Sequence, residues 1–412
     1  MEKIHFAIKN EDISPKSKLL DKILNGKHPL ALLKDKKGLL YDNLTLEKLI
    51  EKEAKYNTKT ISNLGNRSIS SFSSGEQKKA FLNYLIQQKP EFLILNSPFE
   101  SLDTNSVAVL KNKLIQLSNS VNVIQVFDRK EEILPIITHI LEIRNDEITA
   151  IIALENYIFK EEKITFKGEI PKPISSYKNV PNQLISLQNV SVKYNEDKIL
   201  NDINWTINKN EFWQLIGPNG SGKSTILSMI YGNNVKAYGQ NVFLFGQKKG
   251  SGESVWEIKE KIGYFNPSML SLFNRKSTVK QMIISGFFDS IGLYTQPSLQ
   301  QIKTAENWIN LLGLENVKNE PFQNLSVVTQ RLVLIARAII KHPPLLILDE
   351  PLLNLNDKGT AIIVTLINKI ALESDITIIF VSHRNVKNLE PNFTYELIPS
   401  KNGSFGKVKN NV

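Results

Sequence analysis

The 412 residues contain no cysteine, which excludes a disulfide framework, a thiolate metal site and a cysteine nucleophile together. No apolar run approaches the roughly 20 residues that a membrane-crossing helix needs. Met1-Glu2-Lys3-Ile4-His5-Phe6 lacks the cationic start and apolar stretch of a secretory signal, so a cytoplasmic chain is expected. A dense basic block is missing too. The net charge of +10 is spread as single lysines and pairs such as Lys36-Lys37, Lys78-Lys79 and Lys248-Lys249. That reads as a solvated lysine-rich surface; it allows contact with nucleic acid or an acidic membrane but offers no specific motif for either. What is present is globular, 41% hydrophobic and 22% charged, and long enough for two or three domains.

One stretch organises the rest. The apolar strand Phe212-Trp213-Gln214-Leu215-Ile216 runs into Gly217-Pro218-Asn219-Gly220-Ser221-Gly222-Lys223-Ser224-Thr225 and then into a helical Ile226-Leu227-Ser228-Met229-Ile230. Glycines let the backbone curl and aim N–H groups at phosphates, and the helix dipole adds positive potential. Lys223 supplies a cation between the β- and γ-phosphates, and Ser224 can offer its hydroxyl to Mg²⁺. Residues Gly217 to Thr225 are therefore the expected nucleoside triphosphate cradle.

Other segments complete it. Leu345-Leu346-Ile347-Leu348 reads as a buried parallel strand that delivers Asp349 and Glu350 at its C-terminal end. Asp349 is expected to hold Mg²⁺ through water and Glu350 to orient and polarise the attacking water. Ile376 to Ser382 forms another strand, with His383 at its tip in reach of the γ-phosphate. A half-buried strand over Leu184–Val192 ends at Tyr194, a candidate stacking platform for adenine. Amphipathic segments from about Thr278 to Leu314 read as a helical insertion. Prolines and serines without periodicity mark residues 153–182 as a linker between domains 1–152 and 183–412.

The order of these motifs resembles the ATP-binding cassette (ABC) superfamily, and the more specific strings Leu244-Phe245-Gly246, Gly250-Ser251-Gly252-Glu253-Ser254-Val255-Trp256-Glu257-Ile258-Lys259 and Ser285-Gly286-Phe287-Phe288-Asp289-Ser290-Ile291-Gly292 are similar to the tandem ModF family of molybdenum transport ATP-binding proteins. The resemblance implies an α/β P-loop NTPase with two cassettes in tandem that close head to tail. Each ATP would then lie between the phosphate loop of one cassette and the signature loop of the other. Two departures stand out. Asn266-Pro267-Ser268 occupies the place of the cassette glutamine that helps couple to a membrane subunit. In the signature, Leu325-Ser326 is followed by Val327-Val328 instead of two small residues.

The N-terminal half carries the echo of the same text. Phe72-Ser73-Ser74-Gly75-Glu76-Gln77 resembles the signature. Ser73 stands 23 positions before Asn96, as Ser326 stands 23 before Asp349. Phe92-Leu93-Ile94-Leu95-Asn96-Ser97-Pro98 then parallels Leu345 to Pro351, an internal repeat in register. In this copy Asn96 and Ser97 replace the two carboxylates, Asp128 stands for His383, and the phosphate loop is expected to have shrunk to Ile13-Ser14-Pro15-Lys16-Ser17. A base-stacking aromatic equivalent to Tyr194 would fall before Met1. The first domain is thus expected to be truncated and degenerate.

Sorted by composite site, the losses fall on one side. The second copy's loop, Asp349, Glu350 and His383 would pair with an intact Ser73, Gly75 and Gln77, while every part of the opposite site is damaged. Val328 is expected to be harmful because a β-branched residue resists positive φ and crowds the phosphate. The expected function is an ATPase using ATP and Mg²⁺ at one competent site, the two cassettes pairing within the chain. It would be the ATP-binding component of a transport system with a separately encoded membrane permease, cytoplasmic or peripheral at the inner face of the membrane. The competing expectations are a soluble ATPase acting on nucleic acid or a ribonucleoprotein, and a slow ATP-gated scaffold or sensor.

Overall fold

Runs of β-branched and leucine residues bounded by polar turns build two mainly parallel sheets, each closed by an antiparallel edge strand, seen in a computed structural model that describes all residues except 1–2, 14–16, 27–29, 57–68, 101, 160–163, 274–275 and 412. The chain divides into two compact units, Met1–Glu162 and Lys163–Val412.

In the first unit, strands β1 (Phe6–Lys9), β2 (Gly38–Tyr41), β3 (Phe92–Asn96), β4 (Asn122–Phe127), β5 (His139–Arg144) and β6 (Glu147–Ala153) form one sheet in the order β2-β3-β4-β1-β5-β6. Its helices are α1 (Leu19–Leu24), α2 (Asn43–Tyr56), α3 (Ser74–Gln87) and α4 (Thr104–Ser118). Period-two alternation sends Leu93, Leu95 and Val123 to the face covered by α3 and α4, and Phe92, Ile94, Ile124 and Val126 to the face covered by α1.

The second unit opens with an antiparallel pair, β7 (Gln183–Tyr194) and β8 (Asp197–Asn208), followed by β9 (Phe212–Ile216), α5 (Lys223–Ile230), β10 (Asn241–Leu244), β11 (Gln247–Lys248), α6 (Val255–Glu260) and β12 (Ile262–Phe265). Helices α7 (Val279–Ser285), α8 (Leu299–Leu311) and α9 (Val327–Ile339) lead to β13 (Leu345–Asp349), α10 (Asp357–Glu373), β14 (Thr377–Ser382), β15 (Phe393–Ile398) and β16 (Phe405–Asn410). The main sheet runs β12-β13-β14-β9-β15-β16, and a second sheet runs β11-β10-β7-β8. Strand for strand, the main sheet has the first unit's order. The antiparallel sheet and α5 share one core with Ile347, Ile379 and Val381, whereas Leu346, Leu348, Ile378 and Phe380 face α9 and α10. Among the described residues of the first unit nothing corresponds to the antiparallel sheet. No helix among the described residues is long and apolar enough to cross a membrane.

The repeat persists at the level of single bonds. Gln77 Nε2 donates to Ile69 O and Gln330 Nε2 to Phe322 O, each at 3.1 Å. Ser97 N donates to Val126 O and Glu350 N to Val381 O, again each at 3.1 Å, and both residues hold positive φ, +45° and +51°. Asp103 and Asn356 cap α4 and α10 through their side chains.

The expected phosphate loop of the first unit, Ile13 to Ser17, falls in the connection from β1 to α1, Asn10 to Lys18, and its Ser14, Pro15 and Lys16 lie outside the described residues. Two other expectations change. The 153–182 segment is no free tether: Leu154, Tyr157 and Phe159 pack on the first unit, while Phe166 and Ile170 enter the second unit's core and Ile170 N donates to Glu373 Oε2 at 3.1 Å. Finally, neither Gly75 nor Val328 has positive φ, since both lie in the first turn of a helix. Val328 instead packs beside Gly359, where a Cβ would sit 2.7 Å from Val328 Cγ2; in the first unit the small residue is Gly75, where a Cβ would sit 2.7 Å from Ser106 Oγ.

Close backbone approach sets the seat of β12. A Cβ at Gly263 would lie 2.2 Å from Ala338 O and 2.9 Å from Pro343 Cγ. Gly263→Ala is expected to cost about 1–3 kcal/mol, the range for overpacking. The readout is a lower denaturant midpoint at unchanged slope; an unchanged midpoint would mean that β12 yields freely.

Candidate functional site

The cradle is built by two elements that stop. β9 ends at Ile216, and α5 begins at Lys223 behind Gly222, whose φ is +93°. A Cβ on Gly222 would lie 2.5 Å from Leu200 Cδ2, so glycine is required there both by conformation and by space. Lys223 is only 7% exposed. Its ammonium donates to Gly217 O at 2.6 Å and Pro218 O at 3.1 Å, and lies 3.3 Å from His383 Nδ1. The other ring nitrogen of His383 is 3.2 Å from Glu350 Oε1. The phosphate loop and the tips of β13 and β14 are thereby tied together.

A cavity of about 440 Å³ opens in front of them. Asn219, Gly220, Ser221, Gly222, Lys223, Ser224 and Thr225 line one side, Tyr194 and Ile199 a second, and Asn266, Asp349, Glu350 and His383 the third. Gly217 and Pro218 stand behind it as acceptors for Lys223. Tyr194 is 42% exposed, its hydroxyl accepting from Asn234 Nδ2 at 3.0 Å and Lys236 Nζ lying 5.8 Å from its ring centroid.

Burial pushes the Glu350 carboxyl up to about 7; the Lys223 ammonium pulls it down and neighbouring Asp349 raises it. Asp349 also rises through burial, against hydrogen bonds from Asn266 Nδ2 at 2.6 Å and Tyr264 OH at 3.2 Å. Ser221 Oγ is buried with no hydrogen-bond partner among the described residues, at the heart of a loop rich in N–H groups. Such an orphaned hydroxyl, with a glycine cradle and a cation, fits a phosphate chain. The hydroxyl of Ser224 and the carboxylate of Asp349 are hard oxygen donors that line the same cavity, as a magnesium ion prefers. No cluster of three or more metal-ligating side chains occurs among the described residues, so further ligands would be phosphate oxygens and water.

The other predicted site residues lie in the first unit. Ser73 caps α3 in a reciprocal box with Glu76, Gly75 follows in the first turn, and Gln77 is engaged by Ile69 O.

Comparison with known proteins agrees with this geometry. The ABC transporter family profile matches residues 200–353. The ABC transporter ATP-binding protein ModF of Escherichia coli is 35% identical over 337 residues, covering 78% of this chain and 69% of that protein. The chain belongs to the ABC transporter ATP-binding proteins. An ABC transporter ATP-binding protein of Schizosaccharomyces pombe is 32% identical over 309 residues, 72% of this chain and 62% of its own length. Among solved structures, cbiO1 of Clostridium perfringens aligns over 56% of this chain and 89% of its own with 23% identity and a TM-score of 0.49. This cassette protein binds ATP and is an ATPase of its class. ABC ATP-binding proteins pair with other cassettes or with membrane permeases.

Tyr264 and Asn266 were missed as parts of the ATPase site. The sequence marks Asn266 only as the absence of a glutamine. Its place at the end of β12, beside β13 in the parallel sheet, is what brings it to Asp349.

A carboxyl whose folded value, about 7, exceeds the ordinary 4.5 binds more protons in the folded state, so its contribution to stability declines as pH rises between those values. In nucleotide-free protein, Glu350→Gln is therefore expected to gain melting temperature relative to wild type as pH goes from about 4.5 to about 7. A difference that stays flat with pH would mean Glu350 is not held protonated by burial.

Proposed function

We propose that the chain is the ATP-binding component of a transport system and hydrolyses ATP at a single composite site. The second unit supplies the phosphate loop, Asp349, Glu350 and His383, and the first unit supplies Ser73, Gly75 and Gln77. The observation that carries this reading is the sorting of parts. One sheet ends in Asp349-Glu350 beside His383, but its partner helix starts with Val327-Val328; the other ends in Asn96-Ser97 beside Asp128, but its helix starts with Ser74-Gly75.

Each residue then has a stated task. Lys223 and the N–H groups of Gly220 to Ser224 bind the β- and γ-phosphates, and Tyr194 stacks on the base. Ser224 and Asp349 would hold Mg²⁺, which neutralises phosphate charge when bound. Glu350, as carboxylate, accepts a hydrogen bond from the attacking water, and His383 fixes the Glu350 side chain while its ring reaches toward the γ-phosphate. Gly75 presents its N–H at the start of α3, which Ser73 caps while giving its own N–H to Glu76 Oε2 at 2.8 Å. The first unit's own strand ends lack both carboxylates and do not hydrolyse. Relatives named as ABC transporter ATP-binding proteins support a transport role over nucleic-acid remodelling or a scaffold. The partner is then a separately encoded membrane permease, with this chain peripheral at the inner face of the membrane.

The decisive variant follows from the packing. Gly75→Val alone would press on Ser106, so Ser106→Gly accompanies it, reproducing the Val328–Gly359 pair that the second unit tolerates. Gly75→Val with Ser106→Gly is expected to lower ATP turnover about 10²–10³-fold, the usual loss for one preorganised donor. Equilibrium ATP binding should stay within a few-fold, at one nucleotide per chain. Wild-type turnover in that double variant would refute the composite site.

A further inference from the structure

Two donors converge on one oxygen of Asp349. Asn266 Nδ2 reaches Oδ2 at 2.6 Å and Tyr264 OH reaches the same atom at 3.2 Å. The Asn266 amide is oriented from its other end, because its Oδ1 accepts from Ser268 N at 2.8 Å and Ser268 Oγ at 2.7 Å. Tyr264 is oriented by its ring. It stacks on Tyr231 with centroids 4.6 Å apart and planes at 29°. Lys259 Nζ lies 4.9 Å from the Tyr231 centroid and 5.7 Å from that of Trp256. Trp256 is 78% exposed, whereas Trp205, Trp213 and Trp308 are at most 4% exposed. A continuous file of ring and cation contacts therefore runs from solvent to the carboxylate, drawing on α6, the end of α5 and β12.

We infer that Tyr264 is a positioning residue for Asp349, acting with Asn266 where the cassette glutamine is missing, and that the stacked Tyr231, Lys259 and Trp256 hold Tyr264 in place. This rests on the reading of Asp349 as the magnesium carboxylate. The physical reason is directional. A buried carboxylate pinned at Oδ2 by two donors cannot rotate, which leaves Oδ1 to serve a cation and removes the cost of ordering the side chain when the ion arrives. Asn266 is too short and too fully engaged to act as a long mobile arm; it works as a clasp.

The test uses the full chain and Mg²⁺ itself. ATP affinity is measured by calorimetry in chelator and across a magnesium titration, with thermal melting alongside. Tyr264→Phe keeps the stack and deletes the donor. It should raise the magnesium concentration giving half of the affinity gain about 10-fold, the low end for an outer-shell partner. Chelator affinity and melting temperature should remain those of wild type. Tyr264→Leu should show the same loss and also alter the emission and acrylamide quenching of the exposed Trp256. A Tyr264→Phe protein with wild-type magnesium dependence would overturn the inference, as would losses of chelator affinity and stability of equal size. Asp349→Asn separates the two readings. If it abolishes the magnesium effect while Tyr264→Phe leaves it intact, only the positioning role fails; if it leaves the magnesium effect intact, the assignment of Asp349 fails and the inference with it.

Discussion

A buried ammonium is the constraint around which the second unit is arranged. Lys223 is nearly withdrawn from water, and an unpaired charge in that position would be costly. The two carbonyls of its own loop and the imidazole of His383 take its contacts, and Glu350 brings opposite charge through the same imidazole. The loop can curl back to offer Gly217 O and Pro218 O only because Gly220 and Gly222 take positive φ. The positive φ of Glu350 turns its side chain off the strand and toward the ring. The cradle is thus preorganised by its own cation, and phosphate oxygens would replace carbonyl partners at an ammonium already in place.

The signature positions teach a different lesson about size. Val328 and Gly75 occupy equivalent places in helices that begin alike, capped by Ser326 and Ser73. The bulk of the valine is accommodated by removal of bulk at Gly359, and the space at Gly75 is filled by Ser106. Each pair sets one side chain against one glycine across the contact between a signature helix and the helix after the carboxylate strand, as close packing demands. What changes is the helix N-terminus, where Val327, 47% exposed, offers hydrocarbon at the place the first unit fills with Ser74.

Much of this was legible in the sequence. The phosphate loop and Asp349-Glu350 announce themselves because their chemistry is carried by adjacent residues on a strand-turn-helix or a strand tip. The repeat was legible because equal spacing from Ser73 and Ser326 reflects one helix and one strand of fixed length in each unit. Contacts between positions distant in sequence were not. Nothing in the string Ser326-Val327-Val328 points to Gly359, and a harmful φ was inferred where the backbone is simply helical. Asn266 reads as a loss until β12 is set beside β13, and the reach of Tyr264 to Asp349 depends on that register. The segment after residue 163 looks unstructured in composition, yet Phe166 and Ile170 are apolar enough to be drawn into the second core.

The first unit joins its strand tips by a different chemistry. In the second unit the tips of β9, β13 and β14 meet through Lys223, His383 and Glu350. In the first, Asp128 at the end of β4 accepts from Asn10 Nδ2 after β1 at 2.8 Å and from Ser97 Oγ after β3 at 2.7 Å. The same three strand ends are joined by two charge-assisted hydrogen bonds, each worth more than a neutral one. The sign of the centre has changed from cation to carboxylate. A carboxylate so placed repels a polyanion, and its two neutral donors are already committed to it. The link that steadies the first unit's sheet therefore also places a carboxylate at those strand ends, where the second unit places a cation. The start of α3 is independent of that exchange, because Ser73 and Gly75 depend on the packing of α3 and α4 and not on the strand tips.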